Sequence, residues 1–238
     1  MGLLRITKPD EAYVDVYEFG NVTPELIDGL VCKEVHIAPR KFPINWNTVS
    51  FPFDVTTDEL KEIFGADTHI WTIDEMEWLD TTYYDSAPAF VWNEETKQLS
   101  SQNEEWVNFI LQFKDDHEGL IKANYPFVMK LSAAHNATAD NPIVFYNKVI
   151  EVPANVLFYK MQKGMYFAAN ILYVNDNMPL NVLGIQNDVY ITPTNDGYLI
   201  MNSASTGNMG YINYIDNVKQ IQTTGAFFFK LKDNSILN

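Results

Sequence analysis

The alternation of apolar and polar residues predicts a strand over residues 45–51 that runs directly into a short helix. In an extended chain Trp46 and Phe51 fall on opposite faces, so both faces of this strand carry a large aromatic residue. Aromatic and β-branched residues suit a pleated, half-buried surface. Pro52 has no N–H for a sheet ladder and is therefore expected to end the strand.

The helix is predicted to begin at Thr56 or Thr57, because either residue is a good N-cap and two acids follow in the first turn. Apolar residues between Leu60 and Phe64 recur at i, i+3 and i+4, which gives the helix one buried face. Gly65 is expected to close it, since glycine accepts the positive φ of a helix C-terminus. The residues that should be most deeply buried in this unit are Trp46, Phe51, Phe53 and Phe64.

Many further segments read as short strands separated by turns. An acidic loop is predicted at 74–80, and a hairpin turn at 93–97. The other predicted strands cover residues 11–19, 31–37, 68–73, 106–113, 120–131 (interrupted at 124–126), 143–146, 149–152, 157–159, 164–169, 189–192, 198–201 and 225–231, with a second hairpin turn predicted at 194–197. This pattern predicts an all-β, mainly antiparallel fold, a β-sandwich or jelly-roll-like domain with one short helix. We interpret residues 1–40 as an N-terminal arm or edge-strand segment and residues 41–238 as the β-sandwich domain.

The amino-acid composition argues against two classes of binding partner, nucleic acids and membranes. The formal net charge of −15 argues against binding to nucleic acid phosphates, which needs clustered Lys and Arg, and against an anionic membrane surface. No apolar run is long enough to span a bilayer. Residues 1–10 lack the apolar segment of a signal peptide, so we expect a protein that is used without classical secretion, or one whose signal was removed.

Candidate catalytic and metal-binding groups are few. The four histidines lack metal-ligand spacing, and neither a nucleophile elbow nor a phosphate-binding loop is present. The single cysteine, Cys32, lies in an apolar segment and is expected to be a buried, inert thiol. Adjacent carboxylates such as Glu94 and Glu95 would point to opposite faces of a strand. The sequence therefore predicts a protein that is not an enzyme and has no catalytic, cofactor or metal site.

Two groups of residues are candidates for contact with a partner or ligand. An unpaired apolar strand near the N-terminus should add to a sheet edge, in its own domain or in a neighbour, because a bare strand aggregates. The candidates there are Leu3, Leu4, Ile6, Tyr13 and Tyr17. Aromatics near polar loops form the second group, which could bind a protein or a surface glycan unless they pack in the core: Trp78, Tyr83, Tyr84 and Trp92.

The order of several structural motifs resembles β-sandwich modules of secreted and cell-surface proteins of gut bacteria, often found beside leucine-rich repeats. The motifs are Trp46-Asn47-Thr48 with Phe51-Pro52-Phe53-Asp54-Val55, a helix ending Phe64-Gly65-Ala66-Asp67, the segment 120–130, Asn141-Pro142-Ile143-Val144-Phe145 and the closing strand 225–231. The resemblance covers about residues 43–232 and implies a fold but no catalytic residues.

A virus that infects such bacteria could use the same module on its particle. We therefore expect a non-enzymatic structural or interaction protein, an accessory or decorating component of a phage virion or another exposed assembly. In this role it binds protein partners through its N-terminal segment. The alternative is a secreted cell-surface adhesin or carbohydrate-binding module, and the third hypothesis is a glycoside-active enzyme.

Overall fold

The computed structural model describes a little over half of the chain, and the account below is confined to that part. The described residues are 4–7, 14–16, 28–37, 40–80, 90–101, 110–138, 140–153, 157–162, 165–169, 178–179, 198–202, 209–213, 220–221 and 226–230.

Short strands make up most of the described structure. The first eleven are β1 Leu4–Thr7, β2 Val14–Val16, β3 Val31–Ile37, β4 Arg40–Phe42, β5 Asn45–Val49, β6 Val55–Thr56, β7 His69–Trp71, β8 Met76–Asp80, β9 Phe90–Asn93, β10 Gln98–Ser101 and β11 Ile110–Phe113. The others are β12 Leu120–Ile121, β13 Phe127–Leu131, β14 His135–Ala137, β15 Ile143–Val149, β16 Phe158–Lys160, β17 Met165–Ala169, β18 Met178–Pro179, β19 Tyr198–Asn202, β20 Met209–Asn213, β21 Gln220–Ile221 and β22 Ala226–Lys230.

One α-helix, α1 (Thr57–Phe64), and one 3₁₀ turn (Ile73–Glu75) interrupt the described strands. The pairings between the described strands are antiparallel, which confirms the predicted all-β class. The larger sheets have the strand orders β15-β3-β1-β2, β8-β11-β10-β9, β5-β13-β7 and β16-β17-β22-β19-β20.

The three-stranded sheet β5-β13-β7 separates two hydrophobic cores. Alternate residues of β13 face opposite sides, so Phe127 and Met129 pack in one core while Val128 packs in the other. We call the first the helix core, because it includes the buried residues of α1; its largest members are Phe42, Phe51, Phe53, Phe64, Phe127 and Phe145. We call the second the tryptophan core, built around Trp46, Trp71, Trp78, Phe113, Phe167 and Phe228.

The strand–helix unit forms as the sequence predicts. Thr56 is the N-cap of α1: its hydroxyl accepts the N–H of Glu59, and the Glu59 carboxylate accepts the N–H of Thr56, which makes a reciprocal capping box. Gly65 follows the helix with φ +107°. The four residues expected to be buried, Trp46, Phe51, Phe53 and Phe64, are at most 5% exposed.

The N-terminal segment contributes to a sheet of the main unit. β1 lies between β2 and β3, with Leu4 opposite Ile37 and Ile6 opposite Val35. β3 itself pairs along its whole length with β15. Its residues Cys32, Val35 and Ile37 are buried in the helix core, as expected for the cysteine. Residues 31–37 of the predicted arm thus pack in the core, while β1 and β2 lie beyond them in the sheet.

The segment predicted as an acidic loop at 74–80 folds differently. It forms the end of the 3₁₀ turn and strand β8, because Met76 and Trp78 alternate with Glu77 and turn into the tryptophan core. The predicted hairpin around residues 93–97 is present between β9 and β10. In the predicted strand over residues 106–113, β11 occupies Ile110–Phe113, and residues 102–109 lie outside the described part.

Strands β3 and β15 each break the alternation of buried and exposed residues, and the two breaks lie opposite each other in the sheet. In β15, Phe145 and Lys148 are buried while Tyr146 and Asn147 between them are exposed. Asn147 has φ +54°, a left-handed conformation that asparagine tolerates better than other residues with a Cβ. This conformation breaks the two-residue alternation and turns the Lys148 side chain into the protein.

Replacing Asn147 with valine should therefore lower the free energy of unfolding by about 1–2 kcal/mol, because a β-branched residue is strained at positive φ. Asn147→Gly is the matched control, since glycine adopts this conformation freely, and it should remain close to wild type. Urea denaturation of both variants measures the difference, and equal stabilities would contradict the left-handed assignment.

Candidate functional site

The predicted N-terminal contact residues fall partly within the described structure. Leu4 and Ile6 lie in β1, on the edge of β3. Leu3, Tyr13 and Tyr17 lie outside the described residues. β1 is therefore added to β3 of its own chain, which is one of the two placements that the sequence left open.

The predicted aromatic group does not form a common surface in the described structure. Trp78 is 2% exposed and packs edge-to-face on Phe228, with 5.6 Å between ring centroids, so it is a core residue and not a surface contact. Trp92 lies in β9 opposite Leu99, and its side chain is not among the described groups. Tyr83 and Tyr84 lie outside the described residues.

A buried ion pair joins the N-terminal sheet to the helix. The Lys148 ammonium donates to both carboxylate oxygens of Glu59, at 2.6 and 2.8 Å, and to the backbone oxygen of Asp54 at 2.9 Å. Phe53 and Phe145 flank the ammonium, with ring centroids 5.9 and 6.0 Å away. Lys148 is 9% exposed and Glu59 is 35% exposed, so the cation is the more deeply buried partner. The pair fixes where α1 sits against β15.

The two carboxylates of this cluster are held in their charged form. Burial acts to raise the pKa of Glu59, but hydrogen bonds from Lys148 and from the Thr56 N–H outweigh burial and lower it. Asp54 behaves in the same way: burial opposes ionisation, and contacts with Lys122 and the Ala123 N–H lower its pKa overall. Both carboxylates therefore act as fixed anions near neutral pH.

These lowered pKa values predict a loss of stability in acid. A carboxyl group whose pKa is lower when folded stabilises the native state above its unfolded value, and this contribution disappears as pH falls through the folded value. Unfolding free energies measured by urea should therefore drop below about pH 4. Glu59→Gln should show a weaker acid dependence than wild type. Glu62→Gln changes an exposed position of the same helix, so its free energy of unfolding should vary with pH as in wild type. If Glu59→Gln and Glu62→Gln showed the same pH dependence, Glu59 would not be the source of the acid effect.

A second polar cluster fastens the segment 114–119 to the turn that follows β7. His117 Nδ1 lies 3.0 Å from a Glu75 carboxylate oxygen, and the Thr72 hydroxyl donates to the other oxygen at 2.6 Å. His69 Nδ1 lies 3.0 Å from Asp116. Burial opposes ionisation of Glu75, but the hydrogen bonds from His117 and Thr72 lower its pKa overall. His69 and His117 thus each pair with one carboxylate, and these two contacts hold the segment 114–119 in place.

Two tyrosines lie close to this cluster. Tyr125 and Tyr159 are half-buried and pack edge-to-face, with ring centroids 4.7 Å apart. Burial, together with the charges of Asp74 and Glu75, raises the pKa of Tyr125 to about 12. The phenols therefore stay neutral at physiological pH and can offer ring faces and hydroxyl groups to a ligand.

The two polar clusters differ from a metal-binding arrangement. Within the described ranges, no group of three or more His, Cys, Asp or Glu side chains is arranged to hold a metal ion. No described helix is long and apolar enough to cross a membrane. The pairs Lys148–Glu59 and His117–Glu75 connect elements that are distant in sequence.

Lys148, Glu75 and the Tyr125–Tyr159 pair were not among the candidates predicted from the sequence. One signal for Lys148 was available, since it is the one charged residue between residues 143 and 150, which are mostly apolar. The capping box Thr56-x-x-Glu59 was also readable, but its link to a lysine 89 residues away was not.

No protein-family model, curated protein or solved structure shows significant similarity to the chain. The resemblance to modules of gut bacteria therefore stays a prediction.

Proposed function

We propose that the protein is a non-enzymatic structural or interaction protein. Its N-terminal segment attaches it to a larger assembly. The observation that supports this proposal is the position of β1 and β2. In the described structure, β1 pairs only with β2 and with the edge of β3, whereas β3 is held independently by β15. Strand addition of this kind lets backbone hydrogen bonds supply affinity for a partner.

Within this class we favour an accessory or decorating component of a phage virion or another exposed assembly, a choice that depends on the sequence resemblance. The formal net charge of −15 suits a solvent-facing component that must not associate non-specifically. Electron microscopy of purified particles or cells with a labelled protein would locate it directly.

Deleting residues 1–20 should leave a domain that unfolds cooperatively but no longer joins its assembly. The core contacts of β3 do not require β1, because β15 and the buried side chains of Cys32, Val35 and Ile37 hold it in place. Urea denaturation measures folding, and co-purification with particles or cells measures attachment. Ile6→Pro is a milder second variant, since it removes one N–H from β1, and Ile6→Val is its matched control.

The results separate three cases. If the truncated protein unfolds while Ile6→Pro remains attached, the segment belongs to the core and the proposal fails. If the truncated protein folds and still attaches, the contact lies elsewhere, and the segment that contains Tyr83, Tyr84 and Trp92 is the next candidate. Folding with loss of attachment supports the proposal.

The alternative function is a secreted adhesin or carbohydrate-binding module, and one observation favours it. Tyr125 and Tyr159 form a partly exposed edge-to-face pair, whose rings can stack on a sugar ring and whose hydroxyl groups can bind sugar hydroxyls. A glycan array comparing wild type with Tyr159→Ala tests this function. Binding that disappears in the variant would favour it over the virion proposal.

A further inference from the structure

Strand β15 forms one edge of its sheet in the described structure. The strand order is β15-β3-β1-β2, so β15 pairs with β3 on one side and with no described strand on the other. Ile150, just beyond β15, donates its N–H to the Leu30 oxygen on the β3 side. The next residue, Glu151, donates in the opposite direction, to the Pro52 oxygen. Backbone groups alternate in direction along a strand, so Val149 also points its N–H away from β3.

The residues of this edge are of the kind that promotes association between strands. Residues 143–149 include no proline, glycine or acidic residue. Tyr146 is 59% exposed, Val149 is 47% exposed, and Val31, which lies opposite Val149, is 60% exposed. A segment of about six or seven residues with strong β-propensity, low net charge and an unpaired edge is an aggregation hazard. Such an edge is therefore expected to carry features that protect it.

Asn147 interrupts the edge near the middle of the strand. The pairing with β3 continues on either side of it, at Tyr146 and at Lys148, while Asn147 itself has φ +54°. Residues that pair with a neighbouring strand have φ of about −120° to −140°. A left-handed residue thus turns the adjacent peptide groups out of the line that an incoming strand needs. The longest regular stretch of the edge is therefore residues 143–146.

Lys148 places a charge on the inner face of the edge strand. Its ammonium is paired with Glu59, whose side chain is 35% exposed to water. Neighbouring strands lie about 4.8 Å apart, so a strand added to β15 would lie against the lysine side chain and exclude water from the ion pair. Removing this water is unfavourable, because the attraction between the two charges compensates the lost hydration only in part. An inward-facing charge on an edge strand is one of the means by which proteins prevent edge-to-edge pairing.

From these observations we infer that Asn147 and Lys148 protect the edge of β15, so that copies of the protein do not associate through it. The two residues act at the same place, since one distorts the backbone of the edge and the next adds a charge that a second strand would bury. The inference goes beyond the proposed function and does not depend on it, because β1 and β2 lie on the other side of β3.

A full-length chain that carries both Asn147→Val and Lys148→Met tests this protection. Valine favours extended backbone, and methionine removes the charge while it keeps a long side chain. Analytical ultracentrifugation at neutral pH measures the mean mass over a range of protein concentrations. In the double variant this mass should rise with concentration to about twofold the wild-type value or more, because two unprotected edges pair. Lys148→Met alone should show the same effect at higher concentration.

Adding Val149→Pro to the double variant is the specific control. Proline removes the N–H that points away from β3, so the pairing with β3 is kept while an incoming strand loses a donor. The mass should return to the wild-type value. Phe64→Leu lowers stability without changing the edge, so it should keep the wild-type mass and separate edge pairing from aggregation of unfolded chains. Urea denaturation establishes that each variant is folded.

A folded double variant that keeps the wild-type mass at every concentration would overturn the inference. The same conclusion follows if a folded variant that also carries Val149→Pro still associates, or if Phe64→Leu associates to the same extent. If the double variant does not fold, Lys148→Met alone decides, and the wild-type mass in that variant overturns the inference. None of these results affects the 1–20 deletion, so failure here is distinguishable from failure of the proposed function.

Discussion

Replacing Phe64 with alanine should lower the free energy of unfolding by about 3–5 kcal/mol. Phe64 ends α1, is 1% exposed and packs in the helix core. Its ring meets Phe42 edge-to-face at 4.9 Å between centroids and His135 at 5.2 Å. Alanine would leave a cavity where β4, α1 and β14 meet, and tightly packed neighbours collapse into such a cavity only in part.

Urea denaturation of Phe64→Ala, with Glu62→Ala as the matched control, measures this loss. Glu62 lies in the same helix but is exposed, so its replacement should change stability by no more than about 0.5 kcal/mol. Phe64→Leu should fall between the two, because it removes less volume. Wild-type stability in Phe64→Ala would mean that α1 is not docked on the helix core.

The strand–helix unit could be predicted because its signals are local. The N-cap Thr56, the acidic first turn, the apolar spacing up to Phe64 and the closing Gly65 all lie within a few residues of the helix. The burial of Trp46 and Phe51 followed from the same stretch. None of these features depends on which distant segment packs against them.

Pairings between distant segments could not be read in this way. The sequence predicts strands at residues 31–37, 143–146 and 149–152, but the partner of each depends on all the other strands that compete for it. The same limit applies to the candidate site, because Lys148 meets Glu59 across 89 residues and His117 meets Glu75 across 42. A charged residue in a mostly apolar strand indicates only that a partner is needed.

The segment at 74–80 was interpreted wrongly for another reason. Its acidic residues suggested a solvent-exposed loop, and this outweighed the alternation of Met76 and Trp78 with Glu77. In a strand with one buried face, charged residues occupy the exposed positions without excluding a buried row. Periodicity was therefore the better guide, and it would have placed Trp78 in the core.

The buried ion pair predicts an asymmetric response to mutation. Glu59→Ala should lower the free energy of unfolding by about 3–5 kcal/mol, because it leaves the Lys148 ammonium buried without its carboxylate and also removes one half of the capping box. Lys148→Met should be less costly. It removes the buried charge, fills similar space between Phe53 and Phe145, and leaves a Glu59 carboxylate that is 35% exposed to water.

The double variant Glu59→Gln with Lys148→Met separates charge from capping. Glutamine still accepts the Thr56 N–H, and no buried charge remains, so the double variant should be more stable than Glu59→Ala alone. Urea denaturation at neutral pH measures all three variants. If Glu59→Ala loses no more stability than Lys148→Met, then water reaches the ammonium, and Lys148 does not fix α1 against β15. The expected order instead makes this ion pair the contact that joins the sheet carrying the N-terminal strands to the strand–helix unit.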